Sequence, residues 1–339
     1  MSELRQDLTT REWTIIAPER AHRPHETGEA VAATRPALPD WDRDCPFCPG
    51  NEGLTPPEVL RIPPSTEGAD WEVRVVPNKF PALSLEGSPR VEESDSFRRA
   101  SGVGVHEVII ETPSHNTPMA LMAYEQVESV LRVFMARYDA LKQDSRFKFI
   151  SIFKNYGWAS GTSLVHSHSQ LIATPIPAPY YHQRLVIAMG YYADFGRCLH
   201  CDVLADEKKD GQRIVTETDH FIVLHPYASA TDWETHITPK EHFASFNSYP
   251  RSYLPELARA IKDTLFVLYN RLNNPAFNLV IDSAATEDQE APYYHCHLRI
   301  VPRLSFIAGF EMGSGIRIRS RFPEDTADEM RTAASFTGR

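Results

Sequence analysis

Cysteine is scarce and odd in number: the five in this 339-residue chain cannot all pair, and a chain this large and aromatic fits a disulfide framework poorly. Long apolar runs are missing as well. No stretch approaches the roughly 18 residues of a membrane span, and the polar opening MSELRQDLTTREW lacks a signal-peptide core. A cytoplasmic protein with no membrane partner is expected. Basic excess is also absent: 35 Lys and Arg stand against 45 Asp and Glu, a net charge of −10 that argues against a nucleic-acid partner held by a basic surface. An anionic small ligand would need a local positive pocket. What is present, 42% hydrophobic and 24% charged residues with 26 prolines, describes an ordinary globular chain. At about 100–200 residues per domain, two domains are expected.

The chain repeats itself loosely. CPFC (45–48), TPSH ending at His115, an amphipathic segment, FKFISIF (147–153) and H-S-H (166–168) recur in the same order as CLHC (198–201), TPKEH ending at His242, a second amphipathic segment, FNLVI (277–281) and H-C-H (295–297). His242 and His295 follow His115 and His166 by 127 and 129 residues, whereas the cysteine pairs are 153 apart, so the repeat is imperfect between them. Val127, Val130, Leu131, Phe134, Tyr138 and Leu141 step by three or four, as do Leu254, Leu257, Ile261, Leu265, Leu268 and Leu272, which predicts two helices. VHEVIIET (105–112), FKFISIF, FIVLHP (221–226) and FNLVI read as strands. Each half is then an α+β unit, a helix on a mainly antiparallel sheet, with domains at 1–180 and 181–339 divided by the Pro-rich ATPIPAPYYH (173–182). The polar stretch 85–102 reads as a long mobile loop.

Two C-x2-C pairs point to metal before redox, because such a turn offers two thiolates and distant histidines complete a tetrahedron. Cys45, Cys48, His115 and His166 form one zinc set, and the repeat supplies Cys198, Cys201, His242 and His295 as a second, giving two zinc ions per chain. His200 lies inside the second pair and competes for assignment; Cys296 reads as a buried thiol.

The run NYGWASGTSLVHSHSQ (155–170) is the most informative. Gly157 and Gly161 permit backbone approach to a phosphate, and Ser160, Thr162 and Ser163 offer hydroxyls. In an extended segment His166 and His168 project to one face, so a zinc-held His166 would fix His168 beside it. A neutral imidazole can attack phosphorus without a base, and Gln170 can hydrogen-bond a phosphoryl oxygen as charge builds.

Taken together, ELRQDLTTREWTIIAPERAHRP, CPFCPGNE, VRVVPNKFPAL, HEVIIETPSH, IFKNYGWASGTS, HSHSQ and AGFEMGSG resemble the galactose-1-phosphate uridylyltransferase family of the histidine-triad superfamily, nearly end to end. The resemblance implies two histidine-triad-like halves, a homodimer, nucleotide-sugar and sugar-phosphate substrates, and double displacement through a nucleotidyl-histidine. By matching motif it implies His168 as nucleophile and Gln170 as α-phosphate partner. It also implies Arg20, Arg23, Asn78, Asn155, Gly161 and Ser163 as nucleotide and phosphate contacts, and Glu311 as a sugar partner.

The chain departs from the family pattern at several points. Serines 167 and 169 replace the prolines of H-P-H-P-Q, Lys154 stands where many members carry Glu, and Arg299 replaces the Gln that would accompany His297 in the second half. Ser305 and Phe310 stand where the uridylyltransferases carry Lys and Tyr. The serine motif and FPED (322–325) are similar to an ADP-glucose phosphorylase branch. The leading expectation is therefore UDP-hexose:hexose-1-phosphate uridylyl transfer. Adenylyl transfer from ADP-glucose to phosphate is the alternative, and a zinc-stabilised nucleotide sensor without turnover is the reading from another class.

Overall fold

The computed structural model describes residues 1–22, 38–63 and 71–333. Two short strands open the chain, β1 (Glu3–Gln6) and β2 (Trp13–Ile16), followed by β3 (Leu60–Ile62) and β4 (Val73–Pro77). An exposed hairpin, β5 (Glu92–Ser94) and β6 (Phe97–Arg99), precedes β7 (Val105–Ile110), helix α1 (Tyr124–Leu141), β8 (Phe149–Tyr156) and β9 (His168–Thr174). Helices α2 (Pro179–Phe195) and α3 (Leu199–Asp210) lead into β10 (Ile214–Glu217), β11 (Phe221–Leu224) and β12 (Thr235–Pro239). Helix α4 (Leu254–Arg271), β13 (Phe277–Asp282), β14 (His297–Pro302), α5 (Gly309–Ser314), β15 (Arg317–Arg319) and α6 (Pro323–Thr332) complete it.

Ten of these strands form one antiparallel sheet in the order β10-β11-β12-β14-β13-β8-β9-β7-β4-β3. From either edge inwards the strands run first, second, third, fifth, fourth of their half, and the halves meet where β13 pairs with β8. Both expected helices are present. Val127, Val130, Leu131, Phe134 and Tyr138 of α1 and Leu254, Leu257, Ile261, Leu265 and Leu268 of α4 are buried in one core with Val75, Ile109, Ile152, Leu171, Leu279 and Ile300 from the sheet. The helical stripe and the strand alternation meet there because periods of 3.6 and 2 each present one apolar face. The four expected strands lie in β7, β8, β11 and β13.

Two features differ from the sequence reading. Residues 92–99 of the supposed mobile loop form the β5–β6 hairpin, turned by Asp95 at φ 50° and laced by Arg99–Glu92 and Arg98–Glu93 ion pairs. The chain ends also meet: β15 pairs parallel to β2, and Arg5 bonds the Glu324 carboxylate at 2.8 Å and the Tyr227 carbonyl at 3.2 Å, tying the opening strands to the second half. No helix among the described residues is long and apolar enough to cross a membrane.

Candidate active site and metal centres

The CPFC turn, the loop after β7 and the entry to β9 converge on the sheet face opposite the helices. Cys45, Cys48, His115 and His166 are all buried, with ligand atoms within 4.8 Å of one another. Cys48 Sγ lies 3.4 Å from His115 Nδ1, while Cys45 and Cys48 Sγ lie 3.6 and 3.7 Å from His166 Nδ1. A tetrahedral zinc ion with sulfur at about 2.3 Å and nitrogen at about 2.05 Å needs S···N edges of about 3.6 Å, so this donor set fits. His166 Nε2 sits 2.7 Å from the Thr112 carbonyl, which can only accept; Nε2 therefore carries the proton, and the Nδ1 lone pair faces the thiols. Burial pushes the Cys45 thiol up to about 11 and the His166 imidazole down to about 4, a pair that favours a bound cation for thiolate formation.

Cys198, Cys201, His242 and His295 form the second set. Cys201 Sγ is 3.4 and 3.3 Å from His242 and His295 Nδ1, whose Nε2 atoms are each 3.1 Å from a carbonyl, of Ala291 and Pro239 respectively. His200 is outside the set, its ring 5.0 Å from that of His297, much as Phe47 meets His168 edge-on at 5.4 Å. Cys296 is a free buried thiol.

His168 opens β9 and is 6% exposed, at the floor of a cavity of about 430 Å³. Its Nδ1 lies 2.8 Å from the His166 carbonyl, so Nδ1–H donates there and Nε2 keeps a bare lone pair. Nε2 has no protein hydrogen bond among the described residues. Burial first, then the Lys154 charge, holds His168 below the ordinary histidine value, leaving it neutral near pH 7.

Gln170, one alternation along the strand, is oriented by a residue the sequence reading passed over. His106 Nδ1 accepts from the Ala82 N–H at 3.4 Å, which places the proton on Nε2, 2.8 Å from Gln170 Oε1 and 3.1 Å from Asn78 Nδ2; of these two only the glutamine oxygen can accept it. The glutamine amide hydrogens are then free to donate into the cavity. Lys79 was also passed over; it is the one cationic side chain lining the cavity among the described residues. His106 was discoverable as a polar residue on the same strand face as Val108, and Lys79 as the cation beside Asn78.

Asn78 and Ser163 line the same cavity. Asn155 borders an adjoining cleft with His166 and His168, its Oδ1 accepting from Asn278 at 2.7 Å. Gly161 has φ 92° and nothing within 4 Å of a Cβ, so the sign of φ, not close approach, is what asks for glycine there. Arg20 is exposed on a 3-10 turn outside the cavity lining, and Arg23 lies outside the described residues. Glu311 is not brought to His168: its carboxylate accepts from the Ala308 and Ile318 N–H groups at 3.0 and 3.2 Å, at the start of α5.

A bare imidazole nitrogen beside amide donors, in a cavity with Lys79 and Asp44 at its wall, is chemically able to attack a phosphorus centre. Residues 1–177 match the family described as galactose-1-phosphate uridyl transferase, N-terminal domain. The chain is 33% identical to an ADP-glucose phosphorylase of Arabidopsis thaliana over 97% of its length and 92% of that protein's. It is 28% identical to a galactose-1-phosphate uridylyltransferase of Thermotoga maritima, covering 98% of both. A crystal structure of an ADP-glucose phosphorylase from Arabidopsis thaliana with bound ADP-glucose superposes with a TM-score of 0.85 at 32% identity, covering 98% of this chain and 99% of that one. The chain belongs to the galactose-1-phosphate uridylyltransferase family.

Proposed function

We propose that this protein carries a nucleoside monophosphate from a nucleotide sugar to a phosphate-bearing acceptor by two displacements at His168. The carrying observation is the Nδ1–H bond to the His166 carbonyl, which leaves Nε2 bare at the cavity floor. Nε2 attacks the α-phosphorus, the bond to the bridging oxygen breaks, and sugar 1-phosphate departs with its electron pair. The ring then holds Nδ1–H and a partial positive charge, which the His166 carbonyl stabilises. Gln170 donates to the α-phosphoryl oxygen as its charge grows. An acceptor phosphate oxygen attacks next and returns Nε2 to its free state; no proton is exchanged in either step.

The leading donor and acceptor are UDP-glucose and galactose 1-phosphate, a reading supported by relatives whose name is galactose-1-phosphate uridylyltransferase. Adenylyl transfer from ADP-glucose to inorganic phosphate is the second reading, favoured by the 33% against 28% identity and by the absence of the Lys and Tyr at Ser305 and Phe310. Parallel assays with both substrate pairs decide between them. Arg20, Arg23, Asn78, Asn155, Gly161 and Ser163 are assigned to the nucleotide and its phosphates, and Glu311 to the sugar, in a homodimer of the cytoplasm. The two cysteine–histidine sets each hold one zinc; with four protein ligands zinc would supply folding energy and no activated water. The halves, 1–180 and 181–339, are histidine-triad-like repeats, supported by the mirrored strand order. Arg299 is tied to Asp282 in place of a free glutamine, which keeps the second half silent.

A further inference from the structure

Directly beneath the nucleophile, on the helix side of the sheet, lies a cluster of charges that the transfer steps do not use. Lys154 and Glu111 are 1% and 0% exposed. The Lys154 ammonium spends its three donors on Glu111 Oε2 at 2.6 Å, Ser167 Oγ at 3.0 Å and the His168 carbonyl at 3.0 Å. Glu111 in turn accepts from the Ser167 hydroxyl at 2.6 Å on one oxygen and from the Ser169 hydroxyl on the other. Every hydrogen-bonding position of the ammonium is filled, and both serine hydroxyls are engaged.

Position explains what the cluster holds. The β8–β9 register ends at Phe153 opposite Gln170, two residues short of the nucleophile. Beyond that point the His168 carbonyl is held by the Lys154 side chain, while the Glu111 N–H takes the Ser167 carbonyl at 3.2 Å. Proline at 167 and 169 would fix φ by its ring; serine leaves φ free, and although β7 still pairs the segment on one side, with Ile110 opposite His168, the β8 side has lost its ladder and is restrained there by the Lys154 side chain. A buried ion pair is costly to desolvate, and fixing one conformation is the best-attested return on that cost.

We propose that Lys154, with Glu111 as its counter-charge and Ser167 and Ser169 as its links, is the positioning residue that fixes the backbone under His168 and so aims Nε2. The inference rests on His168 being the nucleophile. Displacement of a reacting atom by about 1 Å costs on the order of 100-fold in rate without an equal change in binding.

The test is the single-turnover rate of His168 labelling by a radiolabelled nucleotide sugar, with donor KM measured in parallel, on metal-replete protein. Lys154→Met/Glu111→Leu removes both charges together, so neither is left buried and alone. Labelling about 100-fold slower, with donor KM within about 3-fold of the parent, is expected. Ser167→Ala/Ser169→Ala, which keeps the ion pair, should slow labelling about 10-fold, and all four changes together should be no slower than the charge pair removed alone. A parent-like rate in the folded charge-free variant, or a loss carried by KM, overturns the proposal. If that variant does not fold, a parent-like rate in the serine variant overturns it equally. Failure of the unaltered protein to label His168 with any donor would instead refute the nucleotidyl-histidine reading.

Discussion

Replacing Gln170 tests how the site spends its amide. His106 Nε2–H fixes Gln170 Oε1 at 2.8 Å and turns both amide hydrogens to the cavity, so Gln170→Ala removes one pre-aimed donor to a developing phosphoryl charge. Loss of one such donor costs about 10²–10³ in kcat, or about 2.7–4 kcal/mol. His106→Phe leaves the glutamine in place but free to turn its oxygen inward; a net hydrogen bond of about 0.5–1.5 kcal/mol corresponds to a loss of about 2–13-fold. Because His106 acts through Gln170, the double variant should be no slower than Gln170→Ala alone. Steady-state kcat and KM for the donor, measured on all four proteins, give the cycle. Additive losses would mean that His106 acts independently, and a changed KM with intact kcat for Gln170→Ala would reduce that residue to ordinary ground-state binding.

Metal analysis of the purified chain should give two zinc equivalents, falling to one in Cys198→Ser with His168 labelling retained; one equivalent unchanged by that substitution would remove the second site. Stability should fall with acid below pH 6.5 in part through His225, which is buried against Thr326 and pushed down to about 3. The folded state resists a proton that the unfolded chain accepts near 6.5, so this contribution is complete above 6.5 and is lost towards pH 3 at up to about 1.4 kcal/mol per pH unit. Denaturant titrations of His225→Gln between pH 7 and 4.5 should show a slope shallower by about one proton, and an unchanged slope would contradict the assignment. With Ser305 and Phe310 standing where the uridylyltransferases carry Lys and Tyr, glucose and galactose 1-phosphates should differ by less than about 100-fold in kcat/KM, or about 2.7 kcal/mol. A larger gap would point to a discriminating contact elsewhere.

Much of the frame was legible because it rests on periodicity. The stripes on α1 and α4 and the apolar runs of β7, β8, β11 and β13 each present one face to a common core. The two cysteine–histidine clusters, each able to hold a metal ion, were legible from C-x2-C turns followed by histidines at matching offsets. What escaped depends on pairing across long separations. Nothing local in residues 317–319 says that they lie parallel to β2 near the opposite end of the chain. Every residue of the β5–β6 hairpin is exposed, Phe97 included, so no apolar–polar alternation marks it. Lys154 stood out in the sequence only as a residue of the wrong charge. Its reason is Glu111, 43 residues earlier, brought beneath β9 by the β7–β9 pairing.

The central claim is that His168 carries the nucleotide covalently. Incubating the protein with a donor labelled in the α-phosphate, without acceptor, then digesting and mapping by mass spectrometry measures this directly. A stoichiometric, acid-labile nucleotidyl adduct on His168 is expected, discharged by acceptor and absent from His168→Ala, whose metal content and fold are retained. Turnover by His168→Ala, or turnover of the parent with no adduct on any histidine, would contradict it.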